Sequence, residues 1–130
     1  MTMELGCKGR AETIVTSEKT AKTAGSGALD VFATPFMAAL MEEAAWTSIQ
    51  PYLEDGQGSV GIALKLTHDA ATPVGMKVWA ESTVTAINGR KVSFSITAYD
   101  ETGVIGTCDH QRAIIDNEKF FTRCQNKLSH

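Results

Sequence analysis

Cysteine is scarce in this sequence: the 130 residues hold only three, Cys7, Cys108 and Cys124, widely scattered and without a Cys-x-x-Cys pair. That excludes a disulfide framework and makes reduced thiols in a cytoplasmic protein the simplest expectation. Runs of basic residues and basic–aromatic interleaving are also missing, and the formal net charge is −3, so nucleic acid is not an expected partner. No uninterrupted apolar run is long enough to cross a bilayer, so no membrane is expected either. Met1-Thr2-Met3-Glu4-Leu5 has neither the basic flank nor the apolar stretch of a signal peptide. The length suits a single domain, 1–130, large enough to bury a core without staples.

What is present is one conspicuously apolar helix. Thr34-Pro35 supplies a hydroxyl N-cap and a first-turn proline. Met37, Leu40, Met41, Ala44 and Ala45 then form one stripe, while Phe36, Ala38, Ala39 and Trp46 leave little polar surface elsewhere. The helix is expected from Pro35 to about Gln50, stopped by Pro51. A helix apolar nearly all round belongs in the middle of a structure. A carboxylate inside it is costly unless exposed, paired or used, which draws attention to Glu42 and Glu43.

Before the helix, Gly9 to Thr16 reads as a strand, and the small, polar stretch Ser17 to Asp30 reads as a mobile loop. After it the period changes to two. Ser59 to His68 reads as a strand with Val60, Ile62, Leu64 and Leu66 on one face, and Met76 to Ile87 as a second. Asn88-Gly89 is a strong hairpin signal leading to Lys91–Tyr99, where Val92, Phe94, Ile96 and Ala98 share a face. Asp100-Glu101-Thr102-Gly103 turns into a last long strand, Val104 to Ile115, and Asn117 to Lys127 reads as a short terminal helix. Strands near ten residues reach roughly 33 Å, and the helix roughly 24 Å. A long curved antiparallel sheet wrapped around one central apolar helix satisfies both: an α+β domain of the hotdog type. One sheet face and long edges would remain to be covered, so a homodimer is expected.

Glu42 and Glu43 lie about 100° apart on the helix and cannot share an environment. Glu43 is read as solvated; for Glu42, beside the apolar stripe, a solvated and a catalytic reading both stand. A buried carboxylate facing a cleft can act as general base on water or attack a carbonyl directly. Thr34, first of all a cap, also places a hydroxyl and a helix N-terminus where an oxyanion could be met. It lies eight residues from Glu42, about 12 Å along the axis, so either substrate lies between the two or a second chain completes the site. His68 ends a strand and enters a loop, where functional side chains concentrate. Cys108, His110 and Arg112 share one strand face. They are read as a sheet face rather than a metal site, having no second ligand pair at suitable spacing, with Arg112 available to an anion.

Val31-Phe32-Ala33-Thr34-Pro35-Phe36-Met37 and Leu40-Met41-Glu42 resemble the central helix of hotdog-fold thioesterases of the fluoroacetyl-CoA thioesterase family. The resemblance continues through Pro51-Tyr52-Leu53-Glu54, Gly58-Ser59-Val60-Gly61 and Thr67-His68-Asp69-Ala70-Ala71-Thr72-Pro73-Val74-Gly75, then Asn88-Gly89-Arg90, Ile105-Gly106 and His110-Gln111-Arg112-Ala113. It implies hydrolysis of an acyl-CoA thioester with no cofactor, CoA being part of the substrate. The implied catalytic residues are Thr34, Glu42 and His68. Glu42 would be nucleophile or general base, His68 would assist proton transfer, and Thr34 would orient the carboxylate or the thioester carbonyl. Gly61 would allow close backbone approach to substrate, and Arg112 would lie near the site or the CoA phosphates.

Two departures qualify the likeness. Pro35 replaces a glycine of the family and removes one N–H at the helix start, which moves the expected oxyanion donor to a later amide such as that of Phe36. Gly25-Ser26-Gly27-Ala28-Leu29-Asp30 has none of the aromatic bulk of a tight lid, so a short- or medium-chain acyl-CoA is expected rather than fluoroacetyl-CoA in particular. The alternative is a non-catalytic hotdog module binding an acyl or small apolar ligand, which a Glu42 pointing to bulk solvent would favour. A hotdog hydratase would require a different Asp/His pairing, not found here.

Overall fold

The alternation Val92, Phe94, Ile96, Ala98 puts four buried side chains on one face of a strand and Ser93, Ser95 and Thr97 on the other. That strand is the centre of the sheet seen in a computed structural model, which describes residues 2–129. The strands are β1 (Lys8–Ile14), β2 (Gln57–His68), β3 (Lys77–Asn88), β4 (Lys91–Asp100) and β5 (Gly103–Asp116). All pair antiparallel in the order β1-β3-β4-β5-β2. The helices are α1 (Ala21–Ala24), α2 (Thr34–Ile49) and α3 (Asn117–Gln125). The expected α+β arrangement is present, with α2 packed chiefly against β1 and β3. Among the described residues no helix is long and apolar enough to cross a membrane.

Helix α2 buries Met37, Leu40, Met41, Ala44, Ala45 and Ile49 against the sheet, extending the expected stripe by one turn. Helix and sheet approach closely at β1: a side chain at Gly9 would overlap the Ala44 carbonyl, which also accepts a hydrogen bond from Ser82 Oγ. Helix α2 stops at Ile49, and Pro51 sits in the following 3-10 turn.

Several details differ from the sequence reading. The segment expected to be a mobile loop is folded back on itself: it holds a 3-10 turn and the single turn α1, closed by a Thr20–Phe32 bridge and by Ala33 N–H donating to the Lys19 carbonyl. The hairpin loop is Gly89-Arg90 rather than Asn88-Gly89, because Asn88 pairs with Lys91. Gly89 takes φ +63° while no non-glycine residue among those described has positive φ, the requirement of a turn with glycine first.

The face predicted for β2 is split. A register shift between Gly61 and Ala63 makes Ile62 an extra residue, so Gly61 opposes Arg112 while Leu64 opposes His110 and Leu66 opposes Cys108. Gly61, Leu64 and Leu66 thus face inward, and Val60 does not. Nor does a whole sheet face await cover, because the outward side is polar, carrying Thr107, Asp109 and Gln111 on β5. Among the exposed apolar side chains are Ile62 and Leu64 on edge strand β2 and Trp46 on α2, each 41–46% exposed.

Candidate active site

The residues singled out in the sequence form two groups, one at the start of α2 and one at its middle. At its N-terminal end Thr34 is not the cap. Ala33 occupies that position, and Thr34 is the first helical residue. Its hydroxyl lies 2.7 Å from Nδ1 of His68, the last residue of β2. Two connections bring these side chains together. Asp69 and Ala70 N–H groups donate to the Ile105 carbonyl, and Phe32 N–H donates to the Thr72 carbonyl, which holds the loop after His68 against the strand leading into α2. Asp100, buried at the end of β4, anchors that loop by accepting from the Thr72 hydroxyl at 2.7 Å.

His68 packs edge-on against Phe32, and its Nε2 is buried with no hydrogen-bond partner among the described residues. Burial lowers its pKa, against the opposing pull of the Ala70 backbone and the Asp69 charge. A neutral imidazole beside a hydroxyl can take or return a proton near neutral pH.

The Phe36 N–H does not serve as a free donor here. It is committed to the Ala33 carbonyl at 3.0 Å, as is that of Met37, and the Phe36 ring lies half-buried against the core. The expectation that Phe36 supplies an oxyanion amide is therefore corrected: the proline that removes one N–H is followed by a tightened first turn that consumes the next.

The second group lies two turns along α2. Glu42 Oε2 accepts from Arg112 Nη1 at 3.1 Å, with side-chain exposures of 34% for Glu42 and 7% for Arg112. The carboxylate can therefore meet a ligand, whereas the guanidinium cannot. Arg112 also donates from Nε to Ser59 Oγ at 2.8 Å and from Nη2 to the Ser59 carbonyl at 3.0 Å. Of the two placements expected for Arg112, near the site or near the CoA phosphates, its contact with Glu42 matches the first. Arg112 is a buried brace for Glu42, because four strongly directed bonds hold its fork inside the sheet. Glu43, by contrast, is exposed, as expected.

Gly61 opposes Arg112 across the β2–β5 ladder. A Cβ there would overlap Glu42 Oε2 and stand 3.4 Å from Arg112 Nη1 and from His110 Cε1. The missing side chain is the space the carboxylate occupies. Gly61→Ala is expected to slow turnover about 10–100-fold, because displacement of a reacting group by about 1 Å costs that much. Steady-state rates, with thermal unfolding as a control for folding, check this.

Two residues of this group carried little signal in the sequence. Ser59 was visible only as part of the Gly58-Ser59-Val60-Gly61 stretch of the resemblance. His110 read as a face residue, yet it is 1% exposed and lies 3.2 Å from Arg112 Nη1. Desolvation lowers its pKa, helped by the Arg112 charge and opposed by the Ala63 carbonyl and Glu42. His68 and His110 are both depressed, so the unfolded chain binds more protons as pH falls below the ordinary histidine value of 6.5. Stability is thus complete above that value and is lost as pH falls from it through the folded-state values. The melting temperature is expected to be lower at about pH 5.5 than at about pH 7.5, and a flat profile would contradict the burial of the two rings.

A curled sheet around one helix, with a braced carboxylate on that helix and a threonine–histidine pair at its start, defines a hotdog-fold protein of the thioesterase class. The family described as fluoroacetyl-CoA-specific thioesterase matches residues 15–118. The chain is 43% identical over 98 residues to a fluoroacetyl-CoA thioesterase of Streptantibioticus cattleyicolor, covering 75% of this chain and 70% of that protein. It superposes on the solved fluoroacetyl-CoA thioesterase FlK with a TM-score of 0.91 at 35% identity, covering 98% of each chain. A Thermus thermophilus hypothetical protein, a thioesterase superfamily member, superposes at 0.87 with 29% identity, covering 97% of this chain and 96% of that one. The chain belongs to the fluoroacetyl-CoA-specific thioesterase family.

Proposed function

We propose that this protein hydrolyses a short- or medium-chain acyl-CoA to the free acid and CoA, using Glu42, Thr34 and His68 at the seam of a homodimer. The observation that carries the reading is Glu42: a carboxylate on an otherwise apolar helix, partly open to solvent yet oriented by a buried arginine. A module that only binds an apolar ligand has no need of a carboxylate so placed.

As general base, Glu42 takes a proton from water while the water oxygen bonds to the thioester carbonyl carbon. The tetrahedral oxyanion then collapses, the C–S bond breaks, and the CoA thiolate leaves and is protonated. As nucleophile, the carboxylate oxygen bonds to the same carbon, expels the thiolate and forms an anhydride that water cleaves. Both routes need a donor to the oxyanion and a proton relay, roles that suit the Thr34 hydroxyl and His68. Neither route requires a resident cofactor, CoA entering as part of the substrate. The small residues from Gly25 to Asp30 supply no aromatic cover for a two-carbon acyl group. That favours a broader acyl range than the fluoroacetyl-CoA named for the relatives.

Thr34–His68 and Glu42 lie about 12 Å apart along α2, too far to act on one carbonyl from a single chain. A second copy resolves this by bringing its Glu42 toward the first chain's Thr34–His68 pair. The open edge of β2, with Ile62 and Leu64, and Trp46 on α2 provide the surface for it. Three free cysteines suit a reducing cytoplasm.

The test is thiol release from a panel of acyl-CoAs differing in chain length, followed with dithionitrobenzoate. No release from any of them would refute the reading. Mixing inactive Glu42→Gln with inactive His68→Ala should recover up to about a quarter of the wild-type rate, because half the dimers then hold one intact site. Failure to recover any would place the whole site within one chain.

A further inference from the structure

We propose that His110 is a positioning residue for the reaction: held as its neutral Nδ1–H tautomer, it accepts a hydrogen bond from Arg112 and thereby sets the direction in which Arg112 presents Glu42. The inference rests on the assignment of Glu42 as the working carboxylate and extends it to a residue that touches neither substrate nor carboxylate.

The tautomer follows from the partners. His110 Nδ1 lies 2.8 Å from the Ala63 carbonyl, which can only accept, so Nδ1 carries the proton and Nε2 is left with its lone pair. That lone pair faces Arg112 Nη1 at 3.2 Å. Nη1 has two N–H groups. One goes to Glu42 Oε2 and the other to His110 Nε2. With Nε and Nη2 both tied to Ser59, the His110 bond fixes the remaining twist of the guanidinium about its own axis. The ring in turn cannot rotate, because Phe94 stacks on it at 5.7 Å and the β2 bulge aims the Ala63 carbonyl at it.

The arrangement depends on charge state. Arg112 on the same strand and Glu42 on α2 are the charged groups facing the ring, while β4 offers only Phe94 and β2 only a carbonyl. Protonating Nε2 would remove the acceptor and set a second cation against Arg112, freeing the Nη1 proton that His110 had fixed. Burial favours the neutral form.

Three variants separate positioning from packing. His110→Gln places an amide oxygen near the site of Nε2 and keeps the acceptor. His110→Asn keeps a donor toward Ala63 but loses the acceptor, and His110→Phe keeps the ring but loses both. In the full-length protein, kcat is expected to fall at least about tenfold in the Asn and Phe variants, the scale of a lost hydrogen bond to a charged group. KM should change less than about threefold, and Gln should retain kcat within about threefold of wild type. Long-range proton–nitrogen spectra of the wild type should show a protonated Nδ1 and a bare Nε2 at neutral pH. The proposal is overturned if His110 is found as the Nε2–H tautomer or as imidazolium. Wild-type kcat in the Asn and Phe variants, or an equal loss in all three, overturns it as well. An inactive wild type would overturn both this inference and the thioesterase assignment. An active wild type with an inactive Glu42→Gln and an unaffected His110→Asn would overturn this inference alone.

Discussion

Glu42→Gln is expected to lower kcat about 10²–10⁴-fold, the range for loss of a general base or nucleophile. The amide matches the carboxylate in shape, and its carbonyl can still accept from Arg112 Nη1, so substrate binding and fold should change little. What it cannot do is take a proton from water or bond to an acyl carbon. Arg112 loses a counter-charge but keeps Ser59 and His110, so a modest fall in melting temperature should accompany a severe kinetic defect. Glu43→Gln is the internal control: its side chain is exposed on another face of the helix, and its rate should equal wild type. Steady-state thiol release measures both, and a Glu42→Gln enzyme within about tenfold of wild type would remove Glu42 from the chemistry.

Phe94→Ala is expected to cost about 3–5 kcal/mol, the range for truncating a fully buried aromatic. For a domain of this size that lowers the melting temperature by about 10–20 °C. Phe94 is 2% exposed, sits on the inward face of the central strand and carries the His110 ring. Strands on either side hold the backbone in place, so the void cannot collapse fully and the loss includes a cavity as well as transfer. Phe121→Ala supplies the contrast, since its ring is 63% exposed on α3, and its effect should stay within about 0.5 kcal/mol. Thermal and urea unfolding measure the difference, and similar shifts for the two would mean that Phe94 is not the core residue its burial implies.

The elements were readable because each carries its own period. Met37, Leu40, Met41, Ala44 and Ala45 repeat at helical spacing, and Val92, Phe94, Ile96 and Ala98 alternate at strand spacing, so burial follows from either pattern directly. The strand β2 resisted the same reading because a bulge adds one residue without any mark in the pattern. Past Ile62 each side chain changes face. The cap at Thr34 misled for a related reason. A threonine before a proline is the ordinary start of a helix, and only the arrival of His68 diverts its hydroxyl elsewhere.

The sequence by itself determined the class of fold, the central helix with its buried stripe, the separation of Glu42 from Glu43, and the family likeness from which the proposed roles of Thr34, Glu42 and His68 come. These rest on local spacing or on motifs in order, both of which survive in one dimension. The tertiary structure alone decided that the anion Arg112 meets is the Glu42 carboxylate, that a side chain at Gly61 would overlap that carboxylate, that the Phe36 amide is already taken, and that His110 stands behind Arg112. Each of these depends on the register between β2 and β5 and on where α2 crosses them. A hydrogen bond is directional and short-ranged, so partners 53 or 70 residues apart in the chain, such as Arg112 with Ser59 and with Glu42, become partners only when strand pairing brings them within about 3 Å.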